Sequence, residues 1–152
     1  MPEISLTPQM VERFMARFGE KIAVLHSKLS IGERYDQWKK IEKNEVKIVI
    51  GARSAIFAPV KNLGIIIIDE EHDMSYKSEM APRYQAKELA NYIAKQNHCP
   101  LVLGSATPSM ETFYEAKEGK NCQLYTLTER ANKANLPEVE VVDLRQELAA
   151  RK

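Results

Sequence analysis

Ile65-Ile66-Ile67-Ile68-Asp69-Glu70-Glu71-His72 is the stretch on which the reading of this chain turns. Consecutive β-branched residues favour an extended backbone. Their continuity, rather than alternation, predicts a strand over 64–68 covered on both faces, as in a parallel sheet flanked by helices. The run then stops on carboxylates and an imidazole. Open α/β folds bind ligands just beyond the carboxyl ends of their strands, so this strand would deliver Asp69 and Glu70 into a crevice. Asp69 suits Mg²⁺, a hard cation that keeps several waters and takes one or two carboxylates besides nucleotide phosphates. Glu70 suits the orientation of a water attacking a terminal phosphate. A solvated acidic turn after a buried strand is the plainer alternative. A zinc site is poorly supported, because no second histidine stands at helical ligand spacing from His72.

Working outward, Ile22–Leu25, Lys47–Ile50 and Leu101-Val102-Leu103 are further apolar runs that read as buried strands. Helical patterns lie between them. Thr7 before Pro8 is an N-cap followed by a first-turn proline, with Val11, Phe14, Met15 and Phe18 at helical spacing and Gly19 suited to the stop. Ser30 and Glu33 make a capping-box pattern opening a helix to about Lys43. A helix over 84–96 is expected to bury Leu89, Tyr92 and Ile93, and Thr107-Pro108 repeats the cap-and-proline start for a helix to about Lys117. Strands alternating with helices predict an α/β fold with a mostly parallel sheet. Leu124–Leu127 and Val139–Leu144 read as two more strands, and 146–152 as a tail after a single domain spanning 1–145.

Composition narrows the function classes. The 152 residues are 44% hydrophobic and 28% charged with a formal net charge of +1. That balance excludes a protein that coats nucleic acid by bulk charge, but leaves room for strand contacts through a few fixed donors and arginines. Cys99 and Cys122 form no Cys-x-x-Cys pair, and read as buried free thiols of a cytosolic protein. Neither a leader pattern nor an apolar run of membrane-spanning length occurs, so a cytoplasmic location without membrane attachment is expected.

A second motif follows one strand later: Leu103-Gly104-Ser105-Ala106-Thr107-Pro108. Small residues allow close backbone approach, and Ser105 and Thr107 bring hydroxyls near the acidic cluster. Alone this is an ordinary strand-to-helix turn; after Asp-Glu-Glu-His it is far more specific. The pair resembles motifs II and III of superfamily 2 helicases, in a DEAH-like form. Further stretches are similar to the primosomal replication-restart helicases in particular: Pro2-Glu3-Ile4-Ser5-Leu6-Thr7-Pro8-Gln9, Leu25-His26-Ser27, Gly51-Ala52-Arg53-Ser54-Ala55-Ile56-Phe57-Ala58-Pro59, and Asp73-Met74-Ser75-Tyr76-Lys77 after the acidic run. The resemblance covers nearly the whole chain, with its motifs in order.

The resemblance implies part of a RecA-like motor lobe in an ATP-dependent DNA helicase that remodels stalled forks and starts primosome assembly in bacterial replication restart. Asp69, with Mg²⁺ through the nucleotide, Glu70 and His72 would be catalytic, and Gly104, Ser105, Ala106 and Thr107 would couple hydrolysis to movement. Pro2, Glu3, Thr7, Gln9, Arg53 and Ser54 would line the DNA track. Tyr76, Arg83 and Tyr84 would belong to an aromatic-rich loop linking DNA occupancy to hydrolysis, although Ala81-Pro82 replaces the usual residues there. ATP and Mg²⁺ are the implied cofactors; the implied partners are single-stranded and forked DNA, single-stranded-DNA-binding protein and primosome proteins, with movement 3′ to 5′, in the bacterial cytoplasm at the nucleoid. No Gly-x-x-x-x-Gly-Lys-[Ser/Thr] run occurs among the 152 residues. In the resembled family the phosphate loop and its strand, the second motor lobe and a zinc-binding region lie elsewhere, so this chain is expected to be an incomplete, inactive piece of the first lobe. A non-catalytic DNA- or partner-binding module, or another superfamily 2 translocase, is the alternative.

Overall fold

The computed structural model describes residues 8–119 and 121–129. The described elements run α1 (Pro8–Phe18), β1 (Ile22–Leu25), α2 (Ile31–Glu42), β2 (Ile48–Gly51), β3 (Ile66–Asp69), α3 (Ala86–Gln96), β4 (Leu101–Gly104) and α4 (Met110–Lys117), with 3-10 turns at Gly19–Lys21, Arg53–Phe57 and Met74–Tyr76. Both pairings are parallel with a helix in the crossover, which makes the chain α/β as expected. Ile22 aligns with Ile48 and Leu25 with Gly51, while Ile66 aligns with Leu101 and Asp69 with Gly104.

One expectation needs correcting. The strands form two separate two-stranded sheets among the described residues, rather than one continuous sheet. Consequently β3 and β4 are not covered on both faces: Ile67 is 62% and Val102 44% exposed, whereas Ile68 is buried. Each sheet has its own core. Ala23 and Leu25 meet Ile41 and Val46 in the first, and Ile68 meets Tyr76, Ala86 and Ala90 in the second. The Arg53–Phe57 turn reaches from one to the other, because Ala55 packs on the first core and Ile56 on the second.

Local chemistry accounts for most element ends. Ser30 caps α2 and forms the capping box: its side chain accepts from the Glu33 N–H, and its own N–H donates to Glu33 Oε2 at 2.8 Å. Gly19 has φ +63°, the left-handed conformation that lets the chain leave α1. Thr7 lies outside the described residues, as do Val139–Leu144 and the 146–152 tail. In α3 the buried residues are Ala86, Ala90 and Ala94, not the larger Leu89, Tyr92 and Ile93. Small side chains four residues apart let the helix lie close to the strands, and the larger ones flank the contact. The α4 cap is Ser109, two residues after the expected Thr107, because Ser109 is held from a distance by Glu71. Leu124–Leu127 is not a strand; Leu127 is 93% exposed, and no strand among the described residues pairs with this segment.

Candidate active site

The register of β3 on β4 sets Asp69 beside Gly104, so both motifs emerge at the carboxyl ends of paired strands. Immediately after Asp69 the chain turns sharply. Glu70 has φ +49°, a left-handed backbone conformation that costs a non-glycine residue about 1–2 kcal/mol. Surrounding bonds hold it there: the Glu71 N–H donates to the Gly104 carbonyl (3.0 Å), and the Asp73 N–H donates to the Glu70 carbonyl (2.9 Å). The Glu70 N–H also donates to Asp69 Oδ1 at 3.1 Å. The turn holds the Asp69 and Glu70 carboxylates half-buried at one strand end.

His72 then reaches the second motif. Its Nδ1 lies 2.7 Å from Ser105 Oγ and 3.7 Å from Glu70 Oε2. Ser105 Oγ also accepts from the Thr107 N–H at 3.0 Å. In the Nε2–H tautomer the Ser105 hydroxyl donates to Nδ1; in the Nδ1–H tautomer the ring donates to Ser105 Oγ instead. Either way one histidine ties the acidic turn to the loop after β4.

Glu71, to which sequence reasoning gave no role, is the most heavily bonded carboxylate of the group. It is buried and accepts from the Ser109 N–H (2.6 Å), Thr112 Oγ1 (3.1 Å), Ser109 Oγ (3.3 Å) and Lys87 Nζ (2.9 Å). Lys87 Nζ donates onward to Thr112 Oγ1 at 2.8 Å. Burial alone would push the Glu71 carboxyl up; the Lys87 ammonium and the Ser109 donors outweigh it and hold it below the usual glutamate value. The cluster pins β3, α3 and α4 together behind the catalytic candidates. A third acidic residue in a strand-end run with no solvent-facing pattern of its own was the available sequence signal; Lys87, Ser109 and Thr112 were too distant in sequence to be paired with it.

The segment after the acidic turn is tied down as firmly. The Tyr76 hydroxyl donates to the Asp69 carbonyl at 2.6 Å, and burial, followed by the charges of Asp69, Asp73 and Glu70, pushes its phenol well above the usual range. Tyr76 is only 4% exposed, so its ring offers no open face to a base. Arg53 NH1 donates to the Ser75 carbonyl (2.9 Å) and the Lys77 carbonyl, on both sides of Tyr76. Its guanidinium lies 5.6 Å from the Tyr84 ring centre, and Tyr84 meets Phe57 edge-on at 5.0 Å. The Ser78 N–H donates to the Tyr84 carbonyl, closing the loop whose tip carries the exposed Arg83 and a cis Ala81–Pro82 bond. The structure therefore brings Arg53, Tyr76 and Tyr84 together, with Ser54 exposed beside them. Gln9 is exposed in the first turn of α1; Pro2, Glu3 and Thr7 lie outside the described residues.

A DEAD/DEAH box helicase family model matches residues 1–116. The chain belongs to the DEAD/DEAH box helicase family. Among relatives, it is 58% identical over 148 residues to the replication restart protein PriA of Bacillus subtilis, covering 97% of this chain and 18% of that protein. Similarity to PriA of Synechocystis is 49% over 97% of this chain and 18% of the relative, and to PriA of Treponema pallidum 49% over 97% and 22%. The chain thus spans about a fifth of the length of these relatives. Family membership agrees with the acidic turn and its Ser-Ala-Thr partner lying side by side. No helix among the described residues is long and apolar enough to cross a membrane.

Among the described residues no group of three or more His, Cys, Asp or Glu side chains could enclose an ion. One half-buried carboxylate at a strand end fits Mg²⁺ nonetheless, since that ion retains waters and takes its other ligands from phosphates.

Proposed function

We propose that this chain is the part of an ATP-driven DNA helicase's first motor lobe that senses nucleotide state and passes it to the DNA track. The observation that carries the reading is the 2.7 Å contact between His72 and Ser105, which joins the acidic turn to the loop after β4 beside Asp69 and Glu70. In the intact motor Asp69 would hold Mg²⁺, which when bound would supply neutralisation of nucleotide phosphate charge. Glu70 orients the attacking water. His72 reports the state of that site to Ser105 and Thr107. Similarity to replication restart protein PriA supports DNA as the track and replication restart as the setting, with forked DNA, single-stranded-DNA-binding protein and primosome proteins as partners. Action in the bacterial cytoplasm at the nucleoid follows from that setting.

A sensor role for 76–84 fits the bonding. The pair of carbonyls that Arg53 grips flanks Tyr76, whose hydroxyl holds the Asp69 backbone. A phosphate that recruits Arg53 therefore loosens a contact one residue from the Tyr76–Asp69 bond.

The role assignment is tested in the intact helicase containing this segment. Glu70→Gln keeps size and nucleotide affinity but lowers kcat by about a hundredfold or more, because water orientation matters chiefly in the transition state. Asp69→Asn weakens the Mg²⁺-dependent part of nucleotide binding instead. Equal, small losses from both substitutions would sink the assignment.

A further inference from the structure

A cavity of about 590 Å³ opens where the carboxyl end of β1, the first turns of α2 and the Arg53–Phe57 turn meet. Its wall includes His26, Arg34, Trp38, Arg53, Ser54 and Phe57, and neither Asp69 nor Glu70 lines it. Three features of the wall point to one ligand chemistry. None of the lining side chains carries a negative charge while two carry a positive one, so the cavity favours an anion. Trp38 and Phe57, aromatic residues of the same wall, are 36% and 47% exposed. His26 Nδ1 is buried with no hydrogen-bond partner, a polar atom whose bonding capacity is unspent in the wall. Phosphate, flat ring and polar edge are the three parts of a nucleotide, and they match arginine, indole and imidazole in turn.

We infer that this cavity is a base-holding subsite for one unpaired nucleotide of a single DNA strand. Trp38 stacks on the base, Arg34 takes the adjoining phosphate, and His26 meets the sugar or base edge. A unit of a strand is favoured over a free nucleoside triphosphate, because a hydrolysable triphosphate belongs at the acidic pair, which lies outside this wall. The inference rests on the DNA-motor reading for the identity of the polymer and adds that the lobe grips a base as well as the backbone. Stacking accepts every base, so such a grip carries no sequence preference.

The test uses the 152-residue chain as it is, because Trp38 is its only tryptophan and its emission reports from the cavity wall without a label. Oligothymidylate is titrated in two formats: fluorescence anisotropy of an end-labelled strand, which senses binding anywhere, and Trp38 emission with the unlabelled strand. The expected result is quenching of Trp38 along the same isotherm as the anisotropy rise. Quenching by an abasic strand of equal length or by ATP should be far weaker. Arg34→Gln should weaken strand binding about tenfold with an unchanged far-ultraviolet circular dichroism spectrum. Trp38→Phe keeps a ring and should weaken it about threefold. A rise in anisotropy with flat Trp38 emission overturns the subsite and leaves the DNA reading standing. No response in either format removes both from this chain. Equal quenching by the abasic strand reduces the cavity to a phosphate site, and equal quenching by ATP makes it a free-nucleotide site; both overturn base holding.

Discussion

Tyr76 shows how one hydroxyl can matter beyond its size. Its ring belongs to the second core, and its O–H is spent on the Asp69 carbonyl, so the residue is at once a core side chain and a brace for the Asp69 backbone. Tyr76→Phe keeps the packing and removes the brace. Stability should fall by about 1 kcal/mol, the usual net worth of a neutral hydrogen bond plus a desolvated carbonyl left behind, readable by urea denaturation of this chain. In the intact helicase the same substitution should lower DNA-stimulated hydrolysis while leaving DNA affinity unchanged, since the buried ring touches no strand. A proportional loss of DNA affinity would return Tyr76 to the binding surface. Glu71 gives the second prediction at this scale. Its pKa is held down in the folded state, so the stability it contributes is complete above the ordinary glutamate range of about 4.3 and is lost as pH falls through its lower folded value. Glu71→Gln should cost about 2–3 kcal/mol near neutrality. The gap between variant and wild type in thermal melts should close as the buffer is taken down toward pH 3; a gap that stays constant would show that charge is not what Glu71 contributes.

Among the elements, the junction of β2 with the Arg53–Phe57 turn is the most tightly constrained. A Cβ on Gly51 would lie 2.5 Å from the Ala55 Cβ and 2.6 Å from the Leu25 carbonyl oxygen. Main-chain oxygen in a paired strand has no room to retreat, so Gly51→Ala should destabilise by about 1–3 kcal/mol. Adding Ala55→Gly removes only one of the two clashes and should restore only part of the loss; full recovery would mean that the strand edge can shift. Gly104 differs, because a Cβ there would sit in ordinary contact 3.5 Å from Asp69 Oδ1 and would force nothing aside. The elements also separate what the residues announce from what they do not. Ile22–Leu25 and the Ser30–Glu33 box were readable because strand propensity and capping act within a few residues. The Ser109 cap, the alanine face of α3 and the grip of Arg53 on the Ser75 and Lys77 carbonyls were not, since each is decided by a partner far along the chain. Leu124–Leu127 has strand-like composition but pairs with no strand among the described residues, and composition carries no information about neighbours.

At the scale of the whole molecule, two small parallel sheets among the described residues carry the acidic turn and its histidine link, while the sequence holds no Gly-x-x-x-x-Gly-Lys-[Ser/Thr] run. Carboxylates in the proposed roles would position water and metal but would supply no backbone cradle for β- and γ-phosphates. The chain by itself should therefore show no DNA-stimulated ATP hydrolysis; turnover above background in a highly purified sample, abolished by Asp69→Asn, would contradict this. The parallel pairing also dictates an order of assembly. Each pair joins strands that have a whole helix between them in sequence, so a strand must wait for its partner to be made. While the chain is being synthesised, Ile22–Leu25 leaves the ribosome well ahead of Ile48–Gly51, with apolar side chains and an open edge. The α2 helix is next to arrive. It needs no distant partner to start, because Ser30 and Glu33 close its first turn locally, and its Ile41 packs in the core that also takes Ala23 and Leu25. A nascent-chain helix, stapled at its own amino end, thus reaches Ile22–Leu25 before the partner strand does and shields it against aggregation.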